Sequence, residues 1–250
     1  MVKQFLKRSR SALGILALLG VVVVGAPVAQ AVPALQLDIA GGFYDGTTQT
    51  IMTSASTFTV YALLDTTGRP GMLSPATDTY YLSVAIEPLT SSSADLGSFT
   101  VNGTTVNATG GMTYGTPPIE GLLANFDAGD LAQHGVYPTY FSEFAFTFNP
   151  LNTSGVYDSQ LNPGGIQAGS GLLYAAFQID RSLLSSPYQL HFDLYNEKLR
   201  DGDIDIRYFA PFSHDAGTTS GVPEPSAALL MGVGLLGFGL WQRRRASQSA

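Results

Sequence analysis

The chain has 250 residues, of which 45% are hydrophobic and 12% are charged, and its formal net charge is −7. The charges are unevenly distributed, because residues 32–221 hold only five of the 12 Lys and Arg but 18 of the 19 Asp and Glu. An acidic body of this kind argues against nucleic acid and anionic membrane surfaces as partners. The chain has no cysteine, which excludes disulfides, thiol catalysis and cysteine-based zinc sites and leaves stability to the hydrophobic core.

The first 31 residues have the pattern of a secretory signal peptide. Four basic residues precede an apolar run over residues 12–24, and Ala29 and Ala31 form a small-residue cleavage site. We expect the export translocon to carry the chain across the inner membrane and signal peptidase to cleave after Ala31. The alternative is an uncleaved N-terminal anchor.

The C-terminus carries a second targeting segment, built from a proline motif, an apolar run and a basic cluster. The proline motif consists of Val222, Pro223, Glu224 and Pro225. The apolar run covers residues 226–241, and the basic cluster that follows consists of Arg243, Arg244 and Arg245. As a helix the run would be about 24 Å long, which predicts a short transmembrane helix whose arginines remain in the cytoplasm. A buried core helix is the alternative.

The order and position of these three parts resemble the PEP-CTERM sorting signal of Gram-negative bacteria. The resemblance covers residues 222–246. It implies recognition and cleavage by an exosortase-type membrane protease, after a stage in which the helix anchors a periplasmic body to the inner membrane. It further implies delivery to the outer surface or the extracellular matrix, in bacteria that make exopolysaccharide and biofilm.

Between the two targeting segments, residues 32–215 are expected to form one folded body and residues 216–221 a polar linker. Alternating apolar and polar residues, rich in aromatic and β-branched types, predict about eight strands. The nine alternating runs behind this prediction are centred on residues 35–39, 57–62, 80–86, 99–101, 104–106, 144–148, 175–179, 190–194 and 204–208, and the runs at 99–101 and 104–106 form one small hairpin. Asn102-Gly103 predicts the type I′ turn of that hairpin. The pattern favours an all-β fold, a single antiparallel β-sandwich that is jelly-roll-like.

The two ends of the body resemble a second group, the choice-of-anchor N bacterial surface proteins. The similar segments are Ala34-Leu35-Gln36-Leu37-Asp38-Ile39 and residues 209–216. This resemblance implies an exported module with alternative C-terminal anchors. It assigns no activity and supplies no catalytic residues.

Acidic residues are concentrated late in the body and form the best candidate for a binding site. They are Asp193, Asp201, Asp203, Asp205 and Asp215. Carboxylates at alternate positions share one face of an extended segment and repel one another, and a hard cation such as Ca²⁺ relieves that repulsion. An EF-hand is excluded, because Ile206 stands where its loop needs glycine and Phe212 where it needs glutamate. The alternative is a solvated acidic face next to basic side chains.

Catalytic signatures are missing from the sequence. It contains no Gly-x-Ser-x-Gly elbow, no phosphate-binding loop and no dinucleotide fingerprint. His134, His191 and His214 are too far apart in the sequence for a standard zinc motif. His191 alternates with an apolar strand face, so we expect it at the surface or in a second layer.

These observations predict a non-enzymatic, exported surface or matrix protein. They identify no cofactor apart from the candidate Ca²⁺. Two other functions remain open. One is an adhesion module that binds Ca²⁺ or carbohydrate, in which tyrosines stack on sugar rings; the candidate tyrosines are Tyr61, Tyr81, Tyr114, Tyr137, Tyr140 and Tyr195. The other is a secreted glycan hydrolase that uses paired carboxylates.

Overall fold

The structure, a computed structural model, describes residues 32–67, 74–118, 135–200, 203–204 and 208–219. The predicted signal peptide, with Ala29 and Ala31, and the predicted C-terminal helix lie outside these ranges. Within them, no helix combines the length and apolar character needed to cross a membrane.

The described part of the chain is all-β, with two large sheets. The six-stranded sheet consists of β1 (Leu35–Ile39), β4 (Thr57–Asp65), β6 (Ser98–Val101), β7 (Thr104–Asn107), β10 (Thr153–Gly155) and β11 (Gly171–Asp180). Its strand order is β1-β4-β11-β6-β7, and β10 also pairs with β11.

The seven-stranded sheet carries the site described below. It consists of β2 (Phe43–Asp45), β3 (Thr50–Thr53), β5 (Tyr80–Glu87), β8 (Thr113–Gly115), β9 (Thr139–Phe146), β12 (Gln189–Asn196) and β15 (Ala216–Thr218). The order is β2-β3-β15-β12-β5-β9-β8. A two-stranded sheet joins β13 (Leu199–Arg200) to β14 (Asp203–Ile204), and a short 3-10 helix covers Phe212–His214.

One strand pair departs from the antiparallel expectation. β15 pairs with β3 in parallel, with Ala216 opposite Ile51, whereas the other described pairs are antiparallel. Parallel neighbours need a long connection, and here the connection is most of the body. The prediction of a sheet fold is confirmed, and the prediction of purely antiparallel pairing is wrong at this one junction.

The main hydrophobic core of the described residues draws side chains from both large sheets. Phe58 of β4 meets Phe192 of β12 edge to face, with ring centroids 6.0 Å apart. Phe146 of β9 meets Phe177 of β11 in the same way at 5.0 Å. The period-two alternation of these strands places their apolar residues between the sheets, and each fully buried aromatic or aliphatic side chain contributes about 1.5–3 kcal/mol.

β12 is buried on both of its faces. Leu190, Phe192 and Leu194 point into the shared core, while the alternate residues on the opposite face are buried as well. A small apolar cluster of Ala85, Phe141 and Val136 lies on that opposite face. The seven-stranded sheet therefore has a second covered layer, and β12 presents polar side chains to it.

The predicted hairpin and the predicted linker have different outcomes. Asn102 and Gly103 both have positive φ, 50° and 78°, as a type I′ turn requires, so the predicted turn between β6 and β7 is confirmed. The linker expected over residues 216–221 is wrong in its first part, because Ala216–Thr218 form the buried strand β15. Three small residues gave no alternation from which a strand could be predicted.

Candidate functional site

Three ionisable side chains meet in the covered layer of the seven-stranded sheet: His191, Asp193 and Asp215. His191 and Asp193 are two positions apart on β12, so they share its non-core face. β15 pairs with β12 with His191 opposite Gly217, and the same register brings Asp215 opposite Asp193. We call these three residues the His-Asp-Asp cluster.

The side chains of the His-Asp-Asp cluster converge closely. His191 Nε2 lies 3.3 Å from Asp193 Oδ1 and 3.9 Å from Asp215 Oδ2. One nitrogen or oxygen atom from each residue lies within 4.8 Å of the other two. The residues are only 3%, 0% and 2% exposed, respectively, so water screens their charges very little.

Tyr137 covers the cluster and fixes one carboxylate. Its hydroxyl donates to Asp193 Oδ2 over 2.5 Å, and the hydroxyl of Ser83 lies 3.5 Å from the same phenol oxygen. The contact to Tyr137 engages one oxygen of Asp193 and leaves the other directed at His191. A buried carboxylate held at both oxygens has a fixed orientation.

Burial and mutual charge determine the protonation of the cluster. Burial, followed by the charge of Asp193, raises the pKa of Asp215 well above its ordinary value. Burial alone would lower the pKa of His191, but Asp193, Asp215 and the more distant Glu87 outweigh it and raise that pKa to about 9. The cluster therefore attracts positive charge, which either protons or a cation can supply.

The described residues bring together two of the five aspartates predicted to bind Ca²⁺. Asp193 and Asp215 come together, but their third partner is an imidazole rather than another carboxylate. Asp203 starts β14, opposite Arg200 in the backbone register, while Asp201 and Asp205 lie outside the described residues. His191 was expected at the surface or in a second layer, and the second layer is where it lies. The alternation of His191 with apolar residues was the signal that indicated this position. Its contact with Asp215 could not be predicted from the sequence.

A second buried histidine lies nearby in the sequence but has different partners. His214 Nε2 donates to Asp158 Oδ1 over 3.0 Å, and Nδ1 lies 2.9 Å from the hydroxyl of Ser213. Burial lowers the pKa of His214. Asp158 also accepts the backbone N–H of Gln160. The hydrogen bond from His214 therefore joins the 3-10 helix to the loop after Tyr157.

A polar groove opens where β5 begins and β12 ends. It has a volume of about 310 Å³ and is lined by Thr77, Asp78, Thr79, Tyr81, Asn196, Glu197 and Lys198. Lys198 Nζ lies 3.3 Å from Asp78 Oδ2. An ion pair and one aromatic ring thus line the groove.

The six tyrosines considered for sugar stacking have different environments. Tyr195 is fully buried and donates to Glu143, and Tyr137 donates to Asp193. Tyr61, Tyr81 and Tyr140 are half-buried, and Tyr114 is exposed at 47%. Of the six, Tyr81 alone lines the groove.

Comparison with known proteins gives one match. Residues 221–245 match the PEP-CTERM protein-sorting motif, a range that contains the predicted Pro223-Glu224-Pro225 and Arg243 to Arg245. Neither the curated proteins nor the solved structures contain a match to the chain, and no finding supports the resemblance to choice-of-anchor N proteins. The motif marks a secreted protein that its C-terminal segment anchors in the membrane before an exosortase processes it.

Proposed function

We propose that this chain is a non-enzymatic surface or extracellular-matrix protein of a Gram-negative bacterium, associated with exopolysaccharide and biofilm. In this proposal the export machinery delivers a two-sheet β-sandwich, and exosortase cleavage detaches it from the inner membrane. The observation that carries the proposal is the match of residues 221–245 to the sorting motif.

Two features of the body support a structural rather than a catalytic role. The two carboxylates that meet in the His-Asp-Asp cluster, Asp193 and Asp215, are 0% and 2% exposed. A glycan hydrolase needs its two carboxylates at a substrate-accessible bond. The surplus of acidic residues in the body favours a hydrated, soluble surface.

The sorting part of the proposal is tested by changing the proline motif in the producing bacterium. A chain with Pro223→Ala, Glu224→Ala and Pro225→Ala should remain in the inner-membrane fraction with its C-terminal segment intact, while the unchanged chain reaches the surface or matrix. Lys3→Gln provides a control outside the motif that leaves three basic residues in the signal peptide. Equal delivery of the triple variant and the unchanged chain would overturn this part.

The polar groove favours carbohydrate binding as a second candidate function. A tyrosine face next to carboxylate and ammonium groups offers both stacking and hydrogen bonds to a sugar. Glu197 supplies a carboxylate beside Tyr81, and Lys198, paired with Asp78, supplies the ammonium group.

Calorimetry with the polysaccharide of the producing bacterium tests this candidate. Tyr81→Ala should weaken the affinity by about tenfold or more, which corresponds to about 1.4 kcal/mol, whereas Tyr114→Ala, outside the groove, should leave the affinity unchanged. No heat of binding with the unchanged protein would remove the candidate.

A further inference from the structure

The spacing of the His-Asp-Asp cluster matches a small tetrahedral metal ion. An ion such as Zn²⁺ binds His nitrogen and carboxylate oxygen at about 2.0–2.1 Å, which separates neighbouring ligand atoms by about 3.3 Å. The separation of His191 Nε2 from Asp193 Oδ1 is 3.3 Å, and its separation from Asp215 Oδ2 is 3.9 Å. One ligand atom from each residue lies within 4.8 Å of the other two, so a shift of the Asp215 side chain towards His191 and Asp193 brings three ligands around one point.

The sheet holds the three ligands in register. Asp215 is fixed by the backbone on both sides, since its carbonyl accepts the N–H of Ile51 over 2.9 Å and Ala216 after it pairs with Phe192. Tyr137 occupies the outer oxygen of Asp193, as hydrogen-bond donors behind metal-binding carboxylates commonly do. β12 supplies two of the ligands, and Asp215 immediately precedes β15. These two strands are neighbours in the sheet.

The types of ligand select the class of cation. Ca²⁺ takes six to eight oxygen ligands, whereas this group of described residues offers two carboxylates, one of them already engaged by Tyr137, and an imidazole. An imidazole with carboxylates suits Zn²⁺ and its first-row neighbours. The nitrogen of His191 therefore argues against Ca²⁺ at this place.

We propose that His191, Asp193 and Asp215 bind one divalent transition-metal ion of the zinc class, which links β12 to β15 inside the sheet. The exposure of the three residues, 3% or less, means that the ion is taken up as the chain folds, and three protein ligands leave its fourth position to water. The link would stabilise the join between β12 and β15, which residues 197–215 connect. This inference does not depend on the proposed sorting or matrix role.

Metal uptake by the full chain, purified in detergent without a histidine tag, tests the inference. The protein is unfolded with a chelator, refolded with Zn²⁺ or with Ca²⁺, freed of unbound ions and analysed by mass spectrometry for metal content. We expect about one Zn²⁺ per chain and no retained Ca²⁺. Failure of natively refolded protein to retain Zn²⁺, or retention of Ca²⁺ in its place, would overturn the inference.

Variants assign the ion to the cluster. His191→Gln and Asp215→Asn should reduce bound Zn²⁺ at least tenfold, while Asp78→Asn, which removes a carboxylate from the polar groove, should retain one ion. Tyr137→Phe keeps all three ligands and should weaken Zn²⁺ affinity by about 10–100-fold. Unchanged uptake in both ligand variants would contradict the assignment. If neither refolds, Tyr137→Phe decides, because an affinity equal to that of the unchanged chain would place the ion elsewhere.

Discussion

Asp38 shows how one residue can tie a distant loop to the sheet. It is fully buried on β1, where its Oδ1 accepts the backbone N–H groups of Ile39 and Gly164 over 2.7 and 3.0 Å. Its Oδ2 accepts the N–H of Gly165 over 2.9 Å and the hydroxyl of Tyr157 over 3.2 Å. A carboxylate satisfies all four donors because it is an acceptor only.

Asp38→Asn should therefore destabilise the folded body. The amide nitrogen that replaces one oxygen would face donors instead of accepting from them, and we expect a loss of about 1–3 kcal/mol in the free energy of unfolding. Urea denaturation measures it. Asp95→Asn is the matched control, because exposed Asp95 accepts only the N–H of Gly97 and asparagine can accept it equally well. Equal losses in the two variants would contradict the role of Asp38.

Glu197 provides a prediction of pH dependence at the residue scale. Burial, followed by the charge of Glu143, raises the pKa of Glu197, and a hydrogen bond from Tyr81 opposes the rise. The folded state then binds a proton more readily than the unfolded state. The contribution of Glu197 to stability is accordingly present at low pH and falls as the pH rises from its ordinary pKa of 4.5 through the raised value.

Glu143→Gln should lower the pKa of Glu197 towards its ordinary value, because it removes the repelling charge and keeps an oxygen to accept from Tyr195. Titration of the Glu197 carboxyl carbon by NMR measures the change. A pKa that stays the same in the variant would show that Glu143 does not act on Glu197.

Among the elements, the hairpin of β6 and β7 depends on its turn. Gly103 has a φ of 78°, a conformation that costs a residue with a side chain about 1–2 kcal/mol. Gly103→Ala should lose about that amount of unfolding free energy, measured by thermal denaturation, although a Cβ there would meet no atom within 4 Å. Gly46→Ala is the control, because Gly46 has equal space and no positive φ; comparable destabilisation of both would refute the conformational argument.

β15 is the element that connects the folded body to the C-terminal sorting motif. The strand ends at Thr218, and Thr219 still donates its N–H to the carbonyl of Thr53 over 2.8 Å. Arg181 donates to the carbonyl of Thr219 over 3.0 Å. The body therefore remains intact only if processing occurs beyond Thr219, close to the start of the sorting motif.

Local patterns were sufficient to predict the long strands and the turn at Asn102-Gly103, because these depend on residues next to one another. β15 was not predictable, since Ala216, Gly217 and Thr218 acquire their burial from β3, which lies some 165 residues earlier. The His-Asp-Asp cluster depends on that same pairing. The sequence placed Asp193 and Asp215 in one candidate site, but the presence of His191 as their partner follows only from the order of the strands.

At the scale of the whole molecule, the sorting motif and the folded body occupy separate parts of the chain. The motif at residues 221–245 accounts for export and anchoring, while the two sheets between residues 32 and 219 hold the core, the groove and the His-Asp-Asp cluster. With no cysteine, the body relies on its core and on buried polar contacts such as those of Asp38. What the protein does after sorting must therefore come from the sheets.

The intact mass of the protein recovered from the cell surface or matrix tests the central claim most directly. We expect a chain that begins at Val32 and ends after Thr219 but before the apolar run of residues 226–241. Such a chain lacks Arg243, Arg244 and Arg245. A recovered chain that still ends at Ala250 would contradict exosortase processing, and one that ends before Ala216 would contradict the place of β15 in the mature fold.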